Sequence, residues 1–144
     1  MANVFNRFIQ EDGWRNAVVM VTGLLDTSNA ALEPVIDLVE LTNNDTQAGK
    51  LVGLRVDSVQ YSMSAGTGLE VQLKWEAAVD RGGDILITAL AGQGHDKYRD
   101  VGGLIPPLNS PGYIGNIHLY TTGFEKSAPP TGFTVTLRMV KLYR

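Results

Sequence analysis

"LEVQLKWEA", residues 69–77, alternates without interruption: Leu69, Val71, Leu73, Trp75 and Ala77 fall on one side, Glu70, Gln72, Lys74 and Glu76 on the other. Successive side chains of a β-strand point to opposite faces, so this stretch reads as a strand with one face in a core and one in water. Trp75 is in phase with the apolar set, which makes it a core residue rather than part of a ligand platform. "SAGTG" (64–68) turns into the strand and "DRGGD" (80–84) turns out of it.

Working outward, the same kind of run recurs between Gly, Asn, Asp and Pro. "NAVVMVTGLL" (16–25) is apolar and β-branched, with Gly23 expected as a bulge or bend. "VIDLVEL" (35–41) follows Pro34, and "TNNDTQAGK" (42–50) is a turn by composition. In "LVGLRVDSVQYSM" (51–63) the apolar phase carried by Leu54 and Val56 slips to Val59, Tyr61 and Met63. One bulged residue near Asp57–Ser58 produces such a slip. "ILITALA" (85–91), a long polar loop (92–112), "YIGNIHLYTT" (113–122), "GFEKSAPPT" and "GFTVTLRMVKLY" (132–143) complete the chain. Pro34 stops any helix from Ser28 or Asn29 after about one turn, because it lacks an N–H and clashes with the preceding turn. Seven to eight short strands with one-sided alternation predict an all-β fold, an antiparallel β-sandwich. The expected organisation is an N-terminal arm or edge segment, residues 1–13, ahead of a single sandwich domain, residues 14–144.

Composition narrows the function classes. Gly is 16 of 144 residues and charged residues are 19%, which suits short strands joined by tight turns. A net charge of −3 provides no basic footprint for nucleic acid. With no Cys, disulfides, thiolate nucleophiles and Cys-based zinc sites are excluded together. The N-terminus lacks an apolar h-region and no run approaches the length of a membrane span, so neither a signal peptide nor membrane insertion is expected.

Catalytic patterns are equally sparse. His95 and His118 are the only histidines. "GHDKYRD" could gather His95, Asp96 and Asp100 as metal ligands or as base and orienter, but zinc needs three or four ligands. His118 alternates with Ile117 and Leu119 and so faces away from them. "GTG" and "GQG" lack the rest of a phosphate-binding fingerprint, no G-x-S-x-G elbow occurs, and "NNDT" does not have calcium-loop spacing. The chain is therefore read as no enzyme, with no cofactor and no metal.

Residues suited to contact are easier to find. "NVFNRFIQEDGW" sets apolar side chains ahead of the first convincing strand, either as an edge strand or short helix packed on the sandwich or as an arm laid on a neighbouring subunit. Tyr98 and Tyr113 sit in Gly/Pro-rich loops, where side chains are free to meet a partner. Phe5, Arg7, Phe8, Ile9, Trp14, Tyr98, Arg99 and Tyr113 are the candidate partner-binding residues.

The last third of the chain resembles a family. "YRDVGGLIPPLNSPGYIGNIHLYTTGF…GFTVTLRMVKLY" is similar to small β-sandwich structural proteins encoded among the virion genes of tailed bacteriophages. Shared features are Gly102, Gly103 and Pro106, then "GNI" at 115–117 and "TTG" at 121–123, then Phe133, Val135, Leu137 and Lys141. Phe133 stands where that pattern usually has Tyr, and the N-terminal half carries no motif of the family. The resemblance implies a jelly-roll-like sandwich acting as a capsid cement or decoration protein, with the major capsid protein as partner. It implies a place on the capsid exterior of a virion assembled in the host cytoplasm. A dimer or trimer is expected, since avidity on a symmetric shell favours one. The rival expectation is a tail- or fibre-associated sandwich recognising a carbohydrate or host receptor through a platform of Trp14, Tyr98 and Tyr113.

Overall fold

A computed structural model describes residues 3–42, 49–64, 68–125 and 130–144. The turns expected at 43–48, 65–67 and 126–129 lie outside these residues. Nine strands form: β1 (Val4–Asp12), β2 (Asn16–Leu25), β3 (Glu33–Ile36), β4 (Leu51–Met63), β5 (Glu70–Ala77), β6 (Ile85–Ala91), β7 (Gln93–Lys97), β8 (Tyr113–Thr122) and β9 (Thr131–Tyr143). Single 3-10 turns occupy Leu38–Glu40, Val79–Arg81 and Arg99–Val101.

The strands make two antiparallel sheets, a five-stranded one in the order β1-β2-β9-β4-β7 and a four-stranded one in the order β3-β8-β5-β6. Strand pairs are nested: β2 with β9, β3 with β8, β4 with β7, and β5 with β6. A long hairpin rolled so that its pairs alternate between two layers has this connectivity, which is the jelly roll. The alternation of "LEVQLKWEA" is realised as read, with Val71 and Leu73 fully buried and Trp75 5% exposed. Facing them across the core are Val19, Val21, Leu54, Val135 and Leu137. Each such side chain contributes about 1.5–3 kcal/mol by leaving water.

Nine strands exceed the seven to eight expected because two strands have no dry face to announce them. Residues 4–12 form β1 at the edge of the larger sheet. Residues 93–97, inside the expected loop, form β7 at its other edge. Edge strands wetted on both sides carry little apolar alternation. Conversely, only Val35 and Ile36 of "VIDLVEL" lie in a strand. Beyond them Glu40 folds back to accept a hydrogen bond from the Asp37 backbone N–H at 3.1 Å, closing the 3-10 turn. Pro34 is tolerated because β3 is an edge strand.

The slip at Asp57–Ser58 is a bulge: Val56 and Ser58 pair with the consecutive residues Met139 and Arg138. Gly23 is not a bulge, since β2 pairs with β9 without a shift. Its role is clearance. Gly23 lies in register with Phe5 on one side and Phe133 on the other, and a Cβ there would stand 2.3 Å from the Phe133 ring. The freed space lets Phe133 pack on Phe5, with ring centroids 6.3 Å apart.

Polar ties bind β1 to the segment that leads into and out of β3. Asn3 accepts from the backbone N–H groups of Asp26 and Thr27, at 2.7 and 3.0 Å, and donates to the Ser28 carbonyl. Arg7 forms a two-pronged pair with Glu40, at 2.9 and 3.1 Å, and reaches the Val35 carbonyl. Asp12 accepts from the Thr42 backbone and hydroxyl. The segment is thus an integral edge strand along its whole length.

Candidate functional site

One end of the sandwich gathers apolar side chains in water. There the β1–β2 turn, the β3–β4 and β5–β6 connections and the start of β8 come together. Trp14 is 62% exposed, Val39 93%, Val79 90% and Ile114 49%. A cleft of about 430 Å³ opens at this end beside Val39 and Ile114, lined also by Leu38, Val52, Leu108 and Arg144. Tyr113 forms part of its wall, with its hydroxyl in a slot between Gly53 and Gly115. A Cβ on those glycines would come within 2.7 and 2.9 Å of the hydroxyl. Among the described residues that hydroxyl has no hydrogen-bond partner, and burial pushes its pKa up to about 12.

The scaffold under this end is held by Lys141. Its side chain is wholly buried, and its ammonium donates to the Asp12 carboxylate, the Gly13 carbonyl and, at 2.7 Å, the Thr42 carbonyl. Burial would raise the Asp12 carboxyl, but hydrogen bonds from Lys141 and Thr42 outweigh it and hold the group below the usual carboxylate range. The Tyr143 hydroxyl donates to the Trp14 carbonyl at 2.6 Å, which fixes the turn that presents the indole.

The candidate residues scatter across the molecule. Phe5 packs against the core, Arg7 is engaged with Glu40, and Phe8 and Ile9 are 50% and 41% exposed on β1. Tyr98 is half-buried, with its hydroxyl 3.5 Å from Thr88 and 3.4 Å from Asp96. Arg99 is exposed beside a second cleft of about 430 Å³ over the outer face of the larger sheet, shared with Glu11, Lys97 and Arg138. Trp14 alone of the three supposed platform residues presents its ring to water, so Trp14, Tyr98 and Tyr113 make no flat aromatic surface. His95 and Asp96 occupy adjacent positions of β7 and so point to opposite faces. Among the described residues no cluster of three His, Cys, Asp or Glu side chains could hold a metal ion.

A polar network on the outer face of the smaller sheet was not legible beforehand. His118 Nδ1 lies 2.9 Å from Asp84 and Nε2 lies 3.3 Å from Glu76. Tyr120 donates to Asp84 at 2.7 Å, and Lys74 lies over the Tyr120 ring at 4.2 Å. Burial works to raise Asp84, yet hydrogen bonds from Tyr120 and His118 bring it below its ordinary value. Neither cleft is lined by these residues. Their arrangement ties the start of β6 to β5 and β8. The only sequence signal was that His118 and Tyr120 on β8 share a polar phase with Lys74 and Glu76 on β5.

No known protein family, no curated protein and no solved structure matches the chain.

Proposed function

We propose that the chain is a non-enzymatic virion structural protein of the capsid cement or decoration type. In this reading it binds the outer surface of an icosahedral capsid, contacts the major capsid protein and stabilises the shell. The observation that carries the proposal is the end surface formed by Trp14, Val39, Val79 and Ile114. Isolated exposed apolar residues are ordinary, but three from separate connections and one from the start of β8, all at one end of the sandwich, mark a contact surface. An exposed Trp is the commonest kind of interface anchor. The β1–β2 turn spans only residues 13–15 and is tied to β9 through Lys141 and Tyr143, so docking through Trp14 orders little new chain. Cementing a shell needs buried area and complementarity, roughly 800 Å² per partner in an ordinary interface, and no chemistry.

The test is co-sedimentation of a triple variant, Trp14→Ser, Val39→Ser and Ile114→Ser, with capsids of the virus that encodes the chain. Loss of pelleting by about a hundredfold in affinity, with the β-sheet spectrum unchanged, is expected. Binding at wild-type occupancy would reject this end as the contact.

A further inference from the structure

The outer face of the five-stranded sheet is distinguished by what it lacks. Strand register aligns its outward side chains in cross-strand rows. One row is Asn6, Thr22, Thr134, Ser62 and Gln93. The next is Phe8, Met20, Thr136, Gln60 and His95. At the border above the first row Val4, Leu24 and Gly132 lie in register, with Val4 and Leu24 51% and 40% exposed. No Asp, Glu, Lys or Arg occurs in these three rows, although all their residues are exposed or half-exposed. The outer face of the smaller sheet is the internal control: there Glu70, Lys74 and Glu76 project from a single strand. A solvated sheet face normally carries such charges, and their depletion, with Phe and Met present, is the mark of an interface core.

We propose that this face is the docking surface for a second copy of the same chain, forming a twofold dimer with sheet packed on sheet. Three features select a copy over another partner. Hydroxyl and amide side chains both donate and accept, so a face made of them complements itself, as a twofold interface requires. The row below the uncharged ones begins with Glu11 and ends with Lys97. A twofold axis lying in the interface along β9 reverses strand order while keeping the rows, so Glu11 of each copy faces Lys97 of the other. Neither residue has an ion-pair partner among the described residues of its own chain. The same axis sets Arg138 of the two copies opposite each other at the border of the face, where the long side chain can extend past the last row to keep its charge in water. Finally, five strands and four rows span roughly 20 Å by 20 Å. That is about 400 Å² in projection, which side-chain relief enlarges toward the ~800 Å² per partner of an ordinary interface. The end surface of the proposed capsid contact is left free, and the dimer does not depend on that reading.

The experiment is the mass of the purified whole chain by light scattering and sedimentation across a concentration series. Twice the 15.6 kDa of one chain is expected. Thr136→Lys, near the axis, and Gln60→Lys, at an exposed position, should each raise the dissociation constant by more than about a hundredfold, because each buries an unpaired ammonium. Gln72→Lys, the same change on the other sheet, should leave the dimer intact. Urea midpoints establish that each variant is folded, and Gln60→Lys serves if Thr136→Lys is not. A monomeric or trimeric wild type, a dimer that survives Gln60→Lys, or one lost on Gln72→Lys overturns the proposal.

Discussion

Lys141 is the residue on which the N-terminal third depends. Phe133, Val135, Leu137 and Met139 set the inward phase of β9, and Lys141 continues it, so an ammonium pointing into the core is readable from parity alone. Its partner is not: Asp12 lies 129 residues earlier, and nothing local in either segment signals the pairing. A buried ion pair adds little net stability over an apolar pair, but removing one member leaves the other charge unpaired in the interior. Asp12→Ala should therefore destabilise the fold by about 3 kcal/mol. Lys141→Met, which removes the charge and keeps most of the volume, should cost less. Urea unfolding of both checks the order. Equal losses would mean that packing, not the stranded charge, sets the cost.

At the scale of elements, the alternating strands β2, β5, β8 and β9 were plain in the sequence because each has one dry face. β1 and β7 were obscured because edge strands are wet on both sides, and Gly23 was misassigned because a clearance for Phe133 looks like a bend. Its neighbours across the sheet decide which it is. Since β1 is pinned through Asn3, Arg7 and Asp12, deleting residues 1–12 should do more than remove an arm. The truncated chain should unfold at a markedly lower urea concentration, with hydrogen exchange accelerated first along β2. An unchanged midpoint would show that β1 is only an appendage.

Several of these ties titrate. Burial works against the charged form of Asp12 and Asp84, and their hydrogen bonds prevail; for Glu40 the hydrogen bond from Arg7 is the largest influence. All three carboxyls sit below their ordinary values. A carboxyl depressed in the folded state contributes stability that is present above the unfolded-state pKa, about 4, and is lost as pH falls through the folded value. Stability should thus be flat above pH ~5 and decline steeply below ~4, with Glu40→Gln and Asp84→Asn each shallowing the decline. Tyr113 acts in the opposite range. Its phenol is held protonated by burial to about 12, so it adds stability that is lost as pH climbs from ~10 through that value.

For the molecule as a whole, strand phase marks the individual strands and the sandwich, whereas the nested pairing and the two proposed contact surfaces come from register between distant strands. The apolar end draws Trp14, Val39 and Val79 from three separate connections and Ile114 from the start of β8, and the two central charge-free rows of the larger sheet draw on all five of its strands. Each residue is unremarkable alone, and only β-pairing reveals what stands beside it. The proposed role, contact on a capsid, is measured most directly by co-sedimentation of the purified protein with expanded and unexpanded capsids, followed by imaging of the saturated particles. Saturable binding at a fixed copy number per capsomer, with the Trp14 end against the shell, is the predicted result. No binding to either form, or particles with the Trp14 end facing solvent, would contradict it.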